Sequence, residues 1–323
     1  GEDLAYLKKT LQEQGEDVLV HSVRSNEGLT RDGIEAGGSR VADEIVKIVT
    51  EHKGLEHLSL VGNSLGGLYA RAALSYLDFD QSTGTLCGGA VRPHTFCTIA
   101  TPHLGVSRFT YVPLPMVARR IAAKLFAGLT GEELFLMDDV TKKERGRQTR
   151  QTPLLWEMAT SPTFRNPLQA FRRRRAIGNL EGDFLVPFAT SLFNVSDDAT
   201  GGDWGYLDYR RSKSVSGTGI VWITEVAGEH QSWEHGVGMT SGRAGVRAMA
   251  EALDSFGWSK VGVRLDPLRD VTQGASSSGV RIPLAHNMIC ALGRRDGISG
   301  LAYPLWQRGR CIMDHTADYL LHS

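Results

Sequence analysis

The pentapeptide Gly62-Asn63-Ser64-Leu65-Gly66 is the one Gly-x-Ser-x-Gly in the chain, and it falls where an apolar strand, Leu58 to Val61, meets a helical pattern. A serine on such a turn is held in a strained backbone with its hydroxyl pushed out at the top of a sheet, and the flanking glycines let strand and helix approach closely. The next backbone N–H, that of Leu65, then lies at a helix start, where it can donate to an oxyanion forming on an attacked carbonyl. In a chain with 37 glycines the bare pattern also arises as a plain glycine-rich turn, so the strand before it, the helix after it and a third glycine, Gly67, carry the argument. The chemistry this predicts is nucleophilic attack by Ser64.

A serine hydroxyl needs a base to take its proton, and the base needs a third group to fix its tautomer. On an elbow of this kind the order along the chain is Ser, then Asp or Glu, then His. Asp183 follows the apolar Ala176-Ile177-Gly178 and precedes Val186-Pro187, where a carboxylate just beyond a strand belongs. Its rivals Asp197, Asp198 and Asp203 lie in a polar, glycine-rich stretch better suited to a solvated loop. Among the late histidines, His286 follows the last strand at the end of a long loop, from which a base can reach over the serine. His230 and His235 also follow a strand but come one position early, and His315 falls in the closing helical pattern with Ile312 and Tyr319, where it reads as a surface or core-edge residue.

The elements that must hold these groups alternate. Asp17 to Val23 reads as a short buried strand, Gly37 to Val49 as a helix, His57 to Val61 as a strand and Leu65 to about Leu77 as a helix. Thr95 to Ala100, Arg175 to Asn179, Gly219 to Val226 and Lys260 to Leu265 read as further strands, with helices over Arg243 to Phe256 and Cys311 to Leu321. This is an α/β pattern, a mostly parallel sheet with helices on both faces. From about residue 105 to 175 the strands stop and helix-like, arginine-rich pieces take over, which predicts an insertion within one domain spanning 1–323.

The totals exclude several alternatives. Lys plus Arg and Asp plus Glu each number 36, so no net field draws in nucleic acid or an anionic bilayer. Cys87, Cys97, Cys290 and Cys311 are widely spaced, form no zinc pattern, and read as buried thiols. No stretch reaches the roughly 20 apolar residues of a membrane span, so a soluble or peripheral protein is expected, the cytoplasm being the favoured compartment. No cofactor or metal is implied.

Taken together, Val61-Gly62-Asn63-Ser64-Leu65-Gly66-Gly67-Leu68-Tyr69-Ala70-Arg71, Thr98-Ile99-Ala100-Thr101-Pro102-His103-Leu104-Gly105, Asn179 through Asp183 to Val186-Pro187, and Ala285-His286-Asn287 resemble the lipase-like serine esterases grouped as domain of unknown function 676, over nearly the whole chain. The resemblance implies an α/β-hydrolase fold, catalytic roles for Ser64, Asp183 and His286, and an acyl ester substrate, with a glycerolipid as the expected class. It implies a structural rather than catalytic role for His103. Members of that family usually begin with an apolar strand ending in His-Gly, whose backbone supplies a second oxyanion donor. That strand is not in the sequence, and Gly1 reads as the residue just beyond it, which suggests a truncated sequence. Without that donor the chain is expected to turn over about a hundredfold to a thousandfold more slowly, and without that strand to leave a sheet edge unpaired.

Within the insertion, Val117, Ile121, Leu125 and Leu129 share one side of a helical wheel, opposite Arg119, Arg120 and Lys124. Two readings stand: a lid that opens at a lipid surface, or a helix packed on the core with a solvated back. Arg172 to Arg175 is the densest charge run; such runs are mostly solvated surface, and contact with anionic lipid headgroups is the sharper alternative. A hydrolase fold that is catalytically weak or silent and binds lipid or a protein partner is the rival to the enzyme, and acyl transfer to an alcohol uses the same three residues.

Overall fold

The computed structural model describes residues 2–107, 128–136, 152–180, 182–183, 185–195, 220–226, 243–265, 285–292 and 306–322. In chain order it runs α1 (Ala5–Gln14), α2 (Ile34–Glu51), β1 (His57–Asn63), α3 (Leu65–Ala73) and β2 (Arg92–Ile99). A short helix α4 (128–134) follows, then α5 (Leu154–Thr160), α6 (Pro162–Gln169), β3 (Arg173–Asn179) and α7 (Phe188–Ser191). The last elements are β4 (Ile220–Val226), α8 (Arg243–Asp254), β5 (Trp258–Val263), α9 (Ala285–Met288) and α10 (Arg310–Leu321).

The strands lie in the order β1-β2-β3-β5-β4. β1, β2, β3 and β5 are parallel, and β4 pairs antiparallel with β5 at one edge. Parallel strands covered on both faces become apolar on both, and β5 is buried at every position. Successive side chains go to opposite layers. Phe96, Ala176 and Trp258 join a core with residues of α2, α3, α5, α6 and α8, while Cys97, Ile177, Val261 and Val263 join a second core with α1, α9 and α10. This is the α/β layering expected from the alternation of elements.

Asp17 to Val23, read as a short buried strand, form none, and Val18 and Leu19 are about half exposed. The reason is pairing: among the described residues β1 is bonded only to β2, and this segment joins no ladder of the sheet. It is tied instead to α2, where the Glu44 carboxylate accepts from the Arg24 and Ser25 backbone N–H groups and meets His21.

Within the stretch read as an insertion, α4 is fastened to the start of α2. Thr130 Oγ1 accepts the Gly33 N–H at 2.9 Å, and the buried Glu133 carboxylate accepts the Ile34 N–H, so two orphan donors at the start of α2 are capped by side chains nearly 100 residues away. The amphipathic run 114–129 read as a lid or a packed helix falls, apart from its last two residues, outside the described residues.

The Arg172 to Arg175 run is mostly not a solvated face. Arg172 is exposed, but the Arg174 guanidinium donates to the carbonyls of Gln169, Phe171, Phe256 and Gly257, closing the entry to β3 against the entry to β5. Arg173 and Arg175 lie against the Tyr319 ring, 3.5 and 3.3 Å from its centroid, and fasten α10 to the sheet. Arg173, Arg174 and Arg175 read as surface because the Phe256 and Gly257 carbonyls and the Tyr319 ring that receive them are remote in sequence.

Candidate active site

Ser64 sits between β1 and α3 with φ 53° and ψ −126°, a conformation that side chains other than glycine rarely adopt. The surroundings impose it. The Ser64 N–H donates to Ile99 O of the neighbouring strand at 2.8 Å, and the Ser64 carbonyl accepts the Gly67 N–H at 3.1 Å. Of the glycines around it Gly62 and Gly67 are needed, because a Cβ on Gly62 would lie 2.4 Å from Gly67 Cα and one on Gly67 2.1 Å from Thr101 Oγ1, whereas a Cβ on Gly66 would meet nothing within 4 Å. Leu65, as the first residue of α3, places its N–H at the positive end of the helix.

The three residues predicted from the sequence meet at the C-terminal rim of the sheet. His286 Nε2 lies 3.0 Å from Ser64 Oγ across 222 residues of sequence, and His286 Nδ1 lies 2.9 Å from Asp183 Oδ2. Asp183 is 3 % exposed and His286 7 %. Besides His286, the Asp183 carboxylate accepts the Leu185 N–H at 3.1 Å and the Val186 N–H at 2.8 Å on Oδ1, and the Asn179 amide at 3.0 Å on Oδ2. These donors offset the cost of burying its charge.

That network assigns the tautomer of His286. A carboxylate only accepts, so Nδ1 carries the proton and donates to Asp183, leaving the Nε2 lone pair to accept from the Ser64 hydroxyl. Such an arrangement can remove a proton from Ser64 and stabilise the imidazolium that results.

Around this line lies a second polar group that spacing did not reveal. Arg71 on α3 and His103 just past β2 are both fully buried. Arg71 Nη1 donates to His103 Nδ1 at 3.1 Å and to its carbonyl at 3.3 Å, and His103 Nε2 donates to Thr98 Oγ1 at 2.9 Å. Burial, then the charges of Arg71 and Lys260, push the His103 pKa well below the usual 6.5, and burial pushes Arg71 down to about 9. Lys260 itself pairs with Asp254 at 2.6 Å. The motif Thr101-Pro102-His103 marked this segment, but nothing in the sequence paired His103 with Arg71.

The rivals divide. His315 lies on α10 with Arg175 Nη1 3.3 Å from its Nε2, and Arg175 precedes Asn179 by four positions on β3, toward the opposite end of the strand from the site. His230, His235, Asp197, Asp198 and Asp203 fall outside the described residues. Cys97 and Cys290 are buried and Cys87 and Cys311 partly so, all as free thiols, with burial raising Cys97 to about 12. Among the described residues no three His, Cys, Asp or Glu side chains converge as metal ligands, and no helix is long and apolar enough to cross a membrane.

Residues 1–198 match the family described as "Putative serine esterase (DUF676)". That match takes in Ser64 and Asp183 and stops short of His286. Among curated proteins the chain is similar to "Putative lipase C4A8.10" of Schizosaccharomyces pombe, 28% identical over 63% of this chain and 26% of that protein. It is also similar to two Saccharomyces cerevisiae proteins. "Putative lipase ROG1" is 29% identical over 54% of this chain and 23% of its own length, and "Putative lipase YDR444W" is 23% identical over 61% and 31%. The chain thus spans between about a quarter and a third of the relatives it matches. No solved structure matches it.

Proposed function

The chain belongs to the DUF676 serine esterase family, and from that premise we propose that it hydrolyses carboxylic esters through an acyl-enzyme formed on Ser64. One observation carries the reading: the hydroxyl, imidazole and carboxylate of Ser64, His286 and Asp183 stand in line at 3.0 and 2.9 Å. Ser64 Oγ attacks the ester carbonyl as His286 Nε2 takes its proton. The Leu65 N–H at the start of α3 donates to the oxyanion of the tetrahedral intermediate. His286 then gives the proton to the departing alcohol and activates the water that releases the acid. Asp183 fixes the tautomer and balances the imidazolium charge.

A lipid ester is the proposed substrate class, supported by the lipase names of the relatives and by Leu185, two residues from Asp183 and 65% exposed at the rim. The test is direct. Wild-type protein should release p-nitrophenol from short-chain esters and be labelled by a fluorophosphonate probe on Ser64, and Ser64→Ala should lose both, with turnover falling by about 10⁴-fold or more. Unchanged labelling in Ser64→Ala would remove Ser64 from the mechanism. A wild-type protein that neither labels nor turns over, yet binds lipid vesicles, would instead support a silent binding module.

A further inference from the structure

We propose that Asn179, the last residue of β3, is a positioning residue that holds the acid and the base in register, an inference that rests on the catalytic reading of Ser64, Asp183 and His286. The residue is 1% exposed. One amide nitrogen serves two parts of the site: Asn179 Nδ2 donates to Asp183 Oδ2 at 3.0 Å and to the carbonyl of Ala285 at 3.2 Å. Ala285 immediately precedes His286 and opens α9. A single planar fork at a strand end therefore ties the loop that carries the acid to the short helix that carries the base, across 106 residues of sequence.

Two features separate this from ordinary core packing. The first is the orientation, which chemistry fixes. Turning the amide over would set its oxygen against a carboxylate oxygen and a carbonyl oxygen, three acceptors facing one another. The second is that the forced orientation leaves Asn179 Oδ1 buried without a hydrogen-bond partner among the described residues. A buried orphan acceptor is unfavourable, and an apolar residue of the same size would avoid it. The amide is useful there only through what its nitrogen holds. The oxygen it reaches on Asp183 is the same one that accepts His286 Nδ1–H. Asn179 thus restrains that oxygen laterally while the Leu185 and Val186 N–H groups hold the other, so the carboxylate cannot rotate away from the ring.

The experiment compares Asn179→Leu and Asn179→Asp with wild type in the full chain, reading p-nitrophenyl butyrate kinetics, fluorophosphonate labelling and thermal unfolding. Asn179→Leu, nearly isosteric, should lower kcat about 10- to 100-fold with KM changed less than about threefold, since the lost contacts are to a charged group that matters most when the imidazolium forms. Asn179→Asp sets two carboxylates about 3 Å apart, and such a pair retains one shared proton. Among the described residues the titratable group bonded to the fork is Asp183, with His286 of α9 bonded to Asp183 in turn; β5 places Val263 in register beside Asn179 and contributes no titrating side chain at that position. While the shared proton is held, the introduced carboxyl can donate it to Asp183; once it leaves, repulsion replaces the bond. The Asn179→Asp variant should therefore acquire a descending alkaline limb that wild type lacks. If Asn179→Leu does not fold, the pH profile of Asn179→Asp decides. Asn179→Leu within twofold of wild type, or an Asn179→Asp profile that superimposes on it, overturns the proposal. Failure of wild type to label on Ser64 would strike the catalytic reading instead, and the two failures are distinguishable in one set of reactions.

Discussion

Two buried histidines stand near the elbow with hydrogen bonds at both ring nitrogens, and they are wired in opposite senses. His286 faces a carboxylate: Asp183 accepts at Nδ1, so the basic nitrogen is Nε2, turned toward Ser64 Oγ at 3.0 Å. His103 faces a cation: Arg71 donates into its Nδ1, so its proton sits on Nε2 and is given to Thr98. Protonating His286 creates an ion pair with Asp183, whereas protonating His103 would place a positive ring beside Arg71 and near Lys260 in the same interior. Burial alone therefore does not decide what a histidine does. The charge on the group behind the ring weighs more, a carboxylate favouring the protonated ring and a guanidinium the neutral one.

Removing each ring in turn separates the two histidines most strongly in catalysis. His286→Gln should lower kcat by about 10⁴-fold or more, because an amide cannot take the serine proton. His103→Gln keeps one acceptor and one donor, and kcat should stay within about tenfold of wild type. Comparable losses in both variants would show that the two rings share one role. Steady-state ester hydrolysis on both proteins, normalised by fluorophosphonate-reactive sites, makes the measurement.

How far this contrast was legible in the sequence depends on the kind of signal involved. Ser64 was legible because its requirements are local: a strand, a tight turn, two glycines at close approach and a helix all fall within about 20 residues. Asp183 and His286 were legible only as chain order after a strand, and the structure brings both to Ser64. Asn179 was visible as part of a motif but not as a fork, since an amide four residues before a carboxylate has no distinctive spacing. The Arg71 and His103 pair joins residues 32 apart on different elements, so its chemistry exists only after α3 has packed on β2. The strand expected over Asp17 to Val23 failed for a related reason. Its residues have the composition of a strand, but composition supplies no neighbour, and among the described residues β1 bonds on one side only. The antiparallel placement of β4 beside β5 likewise depends on pairing rather than pattern.

Stability should separate the two histidines in the reverse direction from activity. Replacing His103 with Phe removes the ring acceptor of Arg71, whose Nε and Nη2 already lack partners among the described residues, and leaves a buried guanidinium held chiefly by one carbonyl at 3.3 Å. Breaking a buried charged contact in this way is expected to cost about 2–4 kcal/mol. Replacing His286 with Phe leaves Asp183 still bonded by Leu185, Val186 and Asn179, at a rim rather than in the core, and should cost about 1 kcal/mol. Urea unfolding of the two variants orders them. A larger loss at residue 286 than at residue 103 would mean that Arg71 is solvated or paired in a way that spares it.

The smallest effect follows from protonation alone. His103 has its pKa pushed well below 6.5 by burial and by Arg71 and Lys260, while the unfolded chain carries an ordinary imidazole near 6.5. Between those two values the unfolded state holds a proton that the folded state does not, so folding stability falls as pH drops below about 6.5 and is insensitive to this group above it. The slope is up to about 1.4 kcal/mol per pH unit. Other groups titrate in the same range, so the informative quantity is the difference between wild type and His103→Gln, whose amide stays neutral. Wild type should lose stability more steeply than the variant from pH 6.5 to 5, and the two curves should run parallel from pH 7 to 8. Parallel curves across the whole range would mean that His103 takes up a proton in the folded protein, and the contrast between the proposed base backed by a carboxylate and a neutral ring backed by a guanidinium would fail at its second member.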